Sequence, residues 1–348
     1  MFLVSSYIQI GDYYFDHCVG VEIVNSIESL TDTCIIFLPR KYTFDKKEFF
    51  IGDQPAIKRF DKVLVKFGYD GNLTTEFIGY VKDVKPGVPV VVECEDSMML
   101  LKTTSLTYTF PKGAKLRDVL SHILPKGIKF SCVDLEVGPL RCSNMTAAQI
   151  LEELKRRYLL HAFFRLIENK ELLKLGFASG VAISQLLVTE SVLFVGLPYL
   201  ELLNDRKEET FEISYNIINH DDLLYRHKDE IRFKIRVVII DERNKRKEFE
   251  VGDDDGETRT VHYYNKSLEQ AKQMAYSDLN RFKYTGYRGS FLTFGEPSVQ
   301  KGDVAHIEGD KYHPKGKYLI PRIEKSLGAK IGIRQTVQVG QLINDMKK

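Results

Sequence analysis

The chain has 348 residues, of which 43% are hydrophobic and 28% are charged, so it can form two or three globular domains. Its 50 basic residues nearly balance its 48 acidic residues. This balance argues against a sequence-specific nucleic-acid-binding protein, because such proteins usually carry a clustered basic excess.

Membrane insertion and a secretory signal are also disfavoured. The N-terminal stretch lacks the basic and apolar regions of a signal peptide. The apolar residues 181–203 are interrupted by Gln185, Glu190, Gly196 and Pro198, whereas a membrane helix needs about 20 mainly apolar residues. The five cysteines show no Cys-x-x-Cys spacing, which is typical of a reducing cytoplasm and argues against a zinc site. We therefore expect no stable membrane insertion and no metal.

Residues 1–105 have the pattern of consecutive β-strands. Apolar and polar residues alternate in short runs separated by Pro, Gly, Asn and Asp, which are turn residues. The predicted strands include Asp32–Leu38, Lys62–Phe67, Thr75–Val81 and Val88–Cys94, and Glu95–Leu101 is predicted to be a short helix capped by Asp96. Sequential strands with short turns predict an antiparallel barrel or sandwich.

Residues 106–177 have a different character and predict a small α+β domain. Apolar residues recur at helical spacing in Leu116–Leu124. A second helix is marked by Thr146 and Gln149, which have the spacing of a capping box. Two strands are predicted to follow, at Ala162–Ile167 and Glu171–Phe177.

Residues 178–348 return to β-strands, with one helix near 267–283. Ser267 and Gln270 form a second capping-box pattern at the start of that helix. The acidic run Gly252–Glu257 is predicted to be a turn, because it lacks the ligand spacing and flanking helices of an EF-hand calcium loop. Further strands are predicted at Glu209–Ile218, Glu230–Ile240, Thr285–Phe294 and around Ile333–Val339.

The stretch from Gly302 to Glu324 carries several residues that could take part in chemistry. Gly302–Asp303 is a turn dipeptide, Val304–Ile307 has the pattern of a strand, and Lys317–Ile323 is predicted to run back beside it. His306 and His313 have no helical partner, so they are weak candidates for catalysis or metal binding. The stretch is therefore predicted to be a hairpin.

A loose repeat relates the two ends of the chain. Val63 and Val304 each lie in a predicted strand and each precede an aromatic-led strand, at Phe77 and Tyr318, by the same spacing. In both places a third strand follows. This repeat predicts two similar barrels, one at each end of the chain.

The end of the chain resembles a known family. The pattern of Gly302–Val304, Gly316–Ile320, Ile323–Glu324 and Gly332–Gly340 is similar to that of baseplate hub proteins of contractile phage tails, the late-control and tail-protein D group. These proteins are related to the hub half of type VI secretion spike proteins. Phe110–Phe177 resembles their middle domain.

The resemblance covers nearly the whole chain and implies a mainly β fold. Two antiparallel, tail-tube-like β-barrels, at residues 1–105 and 178–348, would be separated by a small α+β domain at residues 106–177.

The same resemblance implies a structural function without catalysis or cofactor. Members of the family are homotrimers whose six barrels form a ring that matches the six-fold tail tube on one side and carries the trimeric spike on the other. The expected partners are further copies of the chain, the tail tube protein and the spike protein. The expected location is the baseplate of the virion, after assembly in the bacterial cytoplasm. Because no oligonucleotide-binding domain or β-helical needle follows Gln341–Lys348, we expect the spike to be a separate chain.

An obligate trimer needs large apolar interfaces. One apolar run is a candidate for the subunit interface, through the four residues Val192, Phe194, Val195 and Leu197. The alternative interpretation of these residues is monomer core. We hypothesise that Phe194→Asp disrupts trimerisation if the interface interpretation holds.

Two other functions compete with the structural hub. One is a monomeric β-barrel that binds a glycan or partner at the baseplate, although tryptophan, a common sugar-stacking residue, is absent. The other is an enzyme such as a cell-wall hydrolase, which would need converging titratable groups, with Asp303, His306 and His313 as the candidates. A component of a type VI-like contractile injection system is a variant of the hub hypothesis.

Overall fold

The computed structural model describes residues 3–44, 47–50, 57–110, 114–137, 139–158, 160–168, 189–196, 206–240, 245–264, 266–309 and 314–343. The strands of the N-terminal part are β1 Val4–Ile10, β2 Tyr13–Phe15, β3 Gly20–Ser26, β4 Thr33–Leu38, β5 Lys41–Phe44, β6 Lys47–Phe50, β7 Lys62–Tyr69, β8 Asn72–Lys85 and β9 Val90–Asp96. Those of the middle part are β10 Ser105–Phe110, β11 Ala114–Lys115, β12 Phe130–Cys132, β13 Glu136–Val137, β14 Leu140–Thr146, β15 His161–Glu168 and β16 Thr189–Gly196.

The remaining strands belong to the C-terminal part. They are β17 Glu208–Glu212, β18 Ile217–Asn219, β19 Leu223–Arg226, β20 Phe233–Ile240, β21 Arg246–Gly252, β22 Glu257–Tyr264, β23 Gly286–Phe294, β24 Val304–Glu308, β25 Gly316–Leu319, β26 Arg322–Gly328 and β27 Gly332–Val339. The helices are α1 Met98–Leu101, α2 Leu116–Ile123, α3 Ala147–Tyr158 and α4 Leu268–Phe282. None of these described helices is long and apolar enough to cross a membrane.

A twelve-stranded antiparallel sheet connects the two ends of the chain. Its order is β18-β23-β27-β26-β3-β4-β9-β8-β7-β1-β2, with β19 also paired to β23. The N-terminal and C-terminal strands meet where β3 pairs with β26, from Ser26 opposite Arg322 to Gly20 opposite Gly328. The two β-rich parts are therefore one continuous sheet across this pairing.

Alternating side chains explain why these segments form strands with one buried face. In β7, Val63, Val65 and Phe67 are buried, whereas the intervening residues are more exposed. The N-terminal apolar core also contains Leu327 and Ile333, which come from the C-terminal strands. The core of the first β-rich part is thus completed by residues from the far end of the chain.

The middle part contains α2, α3 and three small sheets. The predicted capping box is present, because Gln149 N donates to Thr146 Oγ1 (3.3 Å) and Thr146 N donates to Gln149 Oε1 (2.8 Å). β15 pairs antiparallel with β16, which also pairs in parallel with β12. The sheet of the middle part therefore includes Thr189–Gly196, beyond the predicted boundary at residue 177. The predicted strand Glu171–Phe177 lies outside the described residues.

The predicted C-terminal hairpin is confirmed for its first strand, and the prediction for its return strand is wrong. β24 and β25 pair antiparallel, from Val304 opposite Leu319 to Ile307 opposite Gly316. The predicted return strand Lys317–Ile323 is two strands, since β25 ends before Pro321 and β26 joins the twelve-stranded sheet. Proline has no N–H to donate to a sheet, which explains the break.

The internal repeat extends to the pairing of its first two strands, β7 with β8 and β24 with β25, but not to the pairing of its third strand. β8 pairs with both β7 and β9. The corresponding third strand at the other end, β27, pairs with β23 and β26 and not with β25. The broader prediction of a mainly β fold with antiparallel sheets and an α+β segment between two β-rich parts is confirmed.

A separate three-stranded sheet carries α4. β20 lies between β21 and β22, and α4 buries Ala271 and Ala275 in a core shared with β20. The acidic run before β22 is a turn in which Asp253 binds Lys283 (2.7 Å) and accepts from Phe233 N (3.0 Å).

The capping box at the start of α4 yields a first prediction. Ser267 Oγ accepts from Gln270 N (3.2 Å), and Ser267 N donates to Gln270 Oε1 (3.1 Å). Ser267→Ala is expected to lower the free energy of unfolding by about 1 kcal/mol, because a helix N-terminal N–H loses its acceptor. Denaturant unfolding measures this change.

The matched control is Ser121→Ala in α2. The Ser121 hydroxyl donates to the carbonyl of Arg117 within the helix (2.8 Å). Removal of this hydroxyl therefore leaves no N–H group at a helix N-terminus without its acceptor. Equal destabilisation by both substitutions would contradict the assigned role of Ser267.

Candidate functional site

A cavity of about 910 Å³ lies where the N-terminal, middle and C-terminal parts of the chain meet. Its walls come from β8, β15, β16 and the segment just before β24. We call this region the junction. Its lining includes the polar and charged residues Asn25, Asp32, Glu76, Asp96, Arg165, Lys301, Asp303 and Lys325.

Three buried ion pairs cross the junction. Lys301 Nζ lies 2.5 Å from Asp32 Oδ2, and Arg165 Nη2 lies 2.5 Å from Asp303 Oδ1. Lys325 binds Glu76 in the same way. Each pair joins residues that are far apart in the sequence, so the three pairs together tie all three parts of the chain to one another.

Asp303 is the most heavily coordinated carboxylate of the junction. Besides Arg165, it accepts from Lys207 N (3.1 Å) and Gln300 N (2.8 Å). Burial raises the pKa of Asp303, and the neighbouring Arg165 opposes that shift. Both carboxylate oxygens are thus held by structural donors.

The residues predicted for the enzyme alternative do not form one constellation in the described part of the chain. Asp303 is committed to Arg165, while His306 Nε2 lies 3.8 Å from Glu308 Oε1 within β24. His313 lies outside the described residues. Across the described ranges, no three His, Cys, Asp or Glu side chains are grouped so as to hold a metal ion.

Two of the four predicted subunit-interface residues lie in the chain's own core. Phe194 is 3% exposed, and its ring centroid lies 5.2 Å from that of Phe163. Val195 is buried as well, whereas Val192 is half-buried and lines the cavity. Leu197 lies outside the described residues. A side chain buried in its own chain offers little surface to a partner, so Phe194 and Val195 fit the monomer-core interpretation.

Most residues of the junction were not predicted from the sequence. Arg165 stands in the otherwise apolar run Ala162–Ile167, and Lys325 stands in a strand whose other inward residues are apolar. A single charge at an inward strand position is costly without a partner, so it is a signal of a buried ion pair. The partner itself could not be inferred, since it lies more than a hundred residues away in each case.

No protein-family model matches the chain, and no curated protein matches it by sequence. Solved structures do match, and they define a class: the chain has the fold of phage tail proteins. This finding confirms, at the level of the fold, the resemblance noted from the sequence.

Three structures illustrate the match. The 43 kDa tail protein of prophage MuSo2 from Shewanella oneidensis is 13% identical, with a TM-score of 0.61 over 98% of each chain. The tail protein from Neisseria meningitidis MC58 is 13% identical, with a TM-score of 0.62 over 98% of this chain and 97% of its own. The c3393 protein of E. coli is 10% identical, with a TM-score of 0.60 over 97% of this chain and 77% of its own. The last is described as a component of the type VI secretion system with structural similarity to bacteriophage T4 tail proteins gp27 and gp5.

Proposed function

We propose that this chain is the structural baseplate hub of a phage or prophage contractile tail. In this role three copies form a ring that adapts the six-fold tail tube to a trimeric spike and lines the channel between them. The observation that carries the proposal is the shared fold with a prophage tail protein over 98% of both chains. The role requires no catalysis, since its work is done by surfaces that hold neighbouring proteins in register.

The twelve-stranded sheet supports this proposal. The β3–β26 pairing joins the N-terminal and C-terminal strands into one continuous sheet. A ring of three such chains would contain two β-rich parts per chain, and hence six around the axis, as a partner with six-fold symmetry requires. The proposed division of the chain is an N-terminal β-rich part, a middle α+β part extended to include Gly196, and a C-terminal β-rich part.

The proposed partners are further copies of this chain, a tail tube protein and a spike protein. The proposed location is the tail baseplate of the virion, after assembly in the bacterial cytoplasm. A role in a type VI-like injection system is the second candidate, favoured by the similarity to the E. coli type VI component.

The oligomeric state provides the test. The purified chain is expected to elute at three times its 40.1 kDa mass in size-exclusion chromatography with light scattering. Electron micrographs of that species are expected to show a ring with three-fold symmetry. A chain that stays monomeric at high concentration, and also when mixed with its tube and spike proteins, would contradict the hub and favour the monomeric binding module.

Val192 gives a site-specific form of this test, because it is the described interface candidate that is not fully buried. Val192→Asp is expected to lower the trimer fraction if β16 contributes to the interface, while Val192→Thr, which keeps the shape, is the matched control. An unchanged trimer in Val192→Asp would remove β16 from the interface.

A further inference from the structure

The junction holds unequal numbers of opposite charges. Seven charged side chains that are at least nine-tenths buried line its cavity: the carboxylates Asp32, Glu76, Asp96 and Asp303 and the cations Arg165, Lys301 and Lys325. An eighth buried charge, Glu95, is held instead by the partly exposed Lys82 and Lys102. With every group ionised, the four carboxylates exceed the three cations by one negative charge.

Asp96 is the carboxylate without a cation of its own. The other three are paired, Asp32 with Lys301, Asp303 with Arg165 and Glu76 with Lys325. Among the described residues, Asp96 Oδ1 accepts from one main-chain donor, Met98 N, at 3.0 Å. Within the described residues, its Oδ2 atom is buried and has no hydrogen-bond partner.

The strand register places Asp96 beside a second carboxylate. Val24 lies opposite Thr33, and Thr33 lies opposite Glu95. One position further along, Asn25, Asp32 and Asp96 therefore form a row, and Asp96 N donates to Asp32 O at 3.1 Å. Directly opposed residues of an antiparallel sheet carry their side chains on the same face. Two adjacent buried carboxyl groups that share one lysine cannot both ionise without a large electrostatic cost.

We propose that Asp96 is a proton-binding site that sets the charge of the junction, which is neutral when Asp96 is protonated and negative when Asp96 is ionised. The groups that surround it are Asp32 on the neighbouring strand, Asn25 one strand further away, Met98 N of α1, and Lys301 from the C-terminal part. Further away, the ion pair of Glu76 with Lys325 and that of Arg165 with Asp303 each carry no net charge. Other charged residues also line the cavity: Arg206, Lys207, Glu168 and Glu190. Ionisation of Asp96 therefore destabilises the junction, which holds the two ends of the chain together.

The electrostatic environment of Asp96 agrees with this geometry. Burial raises the pKa of Asp96 to about 8, the neighbouring Asp32 adds to the rise, and Lys301 opposes it. Because the pKa is higher in the folded than in the unfolded chain, proton binding stabilises the fold. That stabilisation is complete below the unfolded pKa and is lost progressively as the pH rises to about 8.

Asp96→Asn tests the proposal, since the amide has the shape of the protonated acid and cannot ionise. The folding equilibrium constant of Asp96→Asn relative to the unmodified chain is expected to increase by up to tenfold per pH unit between pH 5 and pH 8, and to level off above that. Asp254→Asn, at a fully exposed carboxylate, is the matched control and is expected to give a pH-independent ratio. Parallel pH curves for the unmodified chain and Asp96→Asn would overturn the proposal.

A second measurement does not depend on how the variant folds. The unmodified chain is expected to show an infrared carbonyl band of a protonated carboxylic acid at neutral pH, which disappears as the pH is raised through about 8. A neutral-pH spectrum without such a band would show that Asp96 is ionised and would also overturn the proposal. The infrared measurement does not depend on the oligomeric state, and the stability ratio is compared at one protein concentration, so the result is separate from the test of the hub.

Discussion

Arg165→Met is expected to lower the free energy of unfolding by about 3–5 kcal/mol, because it leaves a buried carboxylate without its cation. Arg165 and Asp303 are 4% and 1% exposed, and their side chains form a 2.5 Å ion pair between the middle and C-terminal parts. In Arg165→Met the remaining donors to Asp303 are the main-chain groups Lys207 N and Gln300 N. The expected change is among the largest that a single substitution in this chain can produce.

Denaturant unfolding of Arg165→Met measures this change. Two further variants serve as a control and as a test of the cause. Arg322→Met removes one partner of an exposed pair, with Glu324 at 2.7 Å, and is expected to cost no more than about 1 kcal/mol. The double variant Arg165→Met with Asp303→Leu is expected to recover much of the stability, since it leaves no unpaired charge. If Arg165→Met lowered the free energy of unfolding no more than Arg322→Met, the Arg165–Asp303 ion pair would not stabilise the contact between the middle and C-terminal parts.

Phe194→Asp is expected to abolish the folded state, not to release folded monomers. Truncation of a buried phenylalanine alone costs about 3–5 kcal/mol. Phe194 packs in a small core with Phe163, Ile27 and Leu319, so an aspartate there also buries a charge without a partner. Circular dichroism and light scattering together distinguish loss of structure from loss of assembly.

Phe194→Leu is the control for the aspartate variant, because it keeps an apolar side chain of smaller volume. It is expected to remain folded with reduced stability. A folded, monomeric Phe194→Asp protein would contradict the core assignment and return Phe194 to the subunit interface.

Local signals in the sequence predicted local structure well. Both capping boxes form as expected, since each needs only two residues three positions apart. The strands and turn around Asp70–Gly71 were also predictable, because alternating apolar residues and turn residues specify a hairpin without contacts to residues far away in the sequence. The same holds for β24, whose position was predicted to within a residue.

The junction could not be predicted for the opposite reason. Lys325 and Glu76 are 249 residues apart, and Arg165 and Asp303 are 138 apart. Each residue by itself is compatible with an exposed charge on a strand, which is the commoner case. The prediction of one strand at Lys317–Ile323 was wrong because the chain passes from one sheet to another at Pro321.

The pairing of β3 with β26 has a consequence for how the chain folds. Leu327 and Ile333 belong to the same apolar core as Ile8 and Val65, so this core joins residues separated by nearly the whole chain. Such non-local contacts give a high contact order, and folding slows when long loops must close before apolar contacts form. During translation the first strands leave the ribosome long before Leu327 and Ile333 are synthesised. Until then the N-terminal core remains incomplete. The chain therefore has a long period in which exposed apolar strands can aggregate, and chaperones that bind such strands are expected to raise its yield.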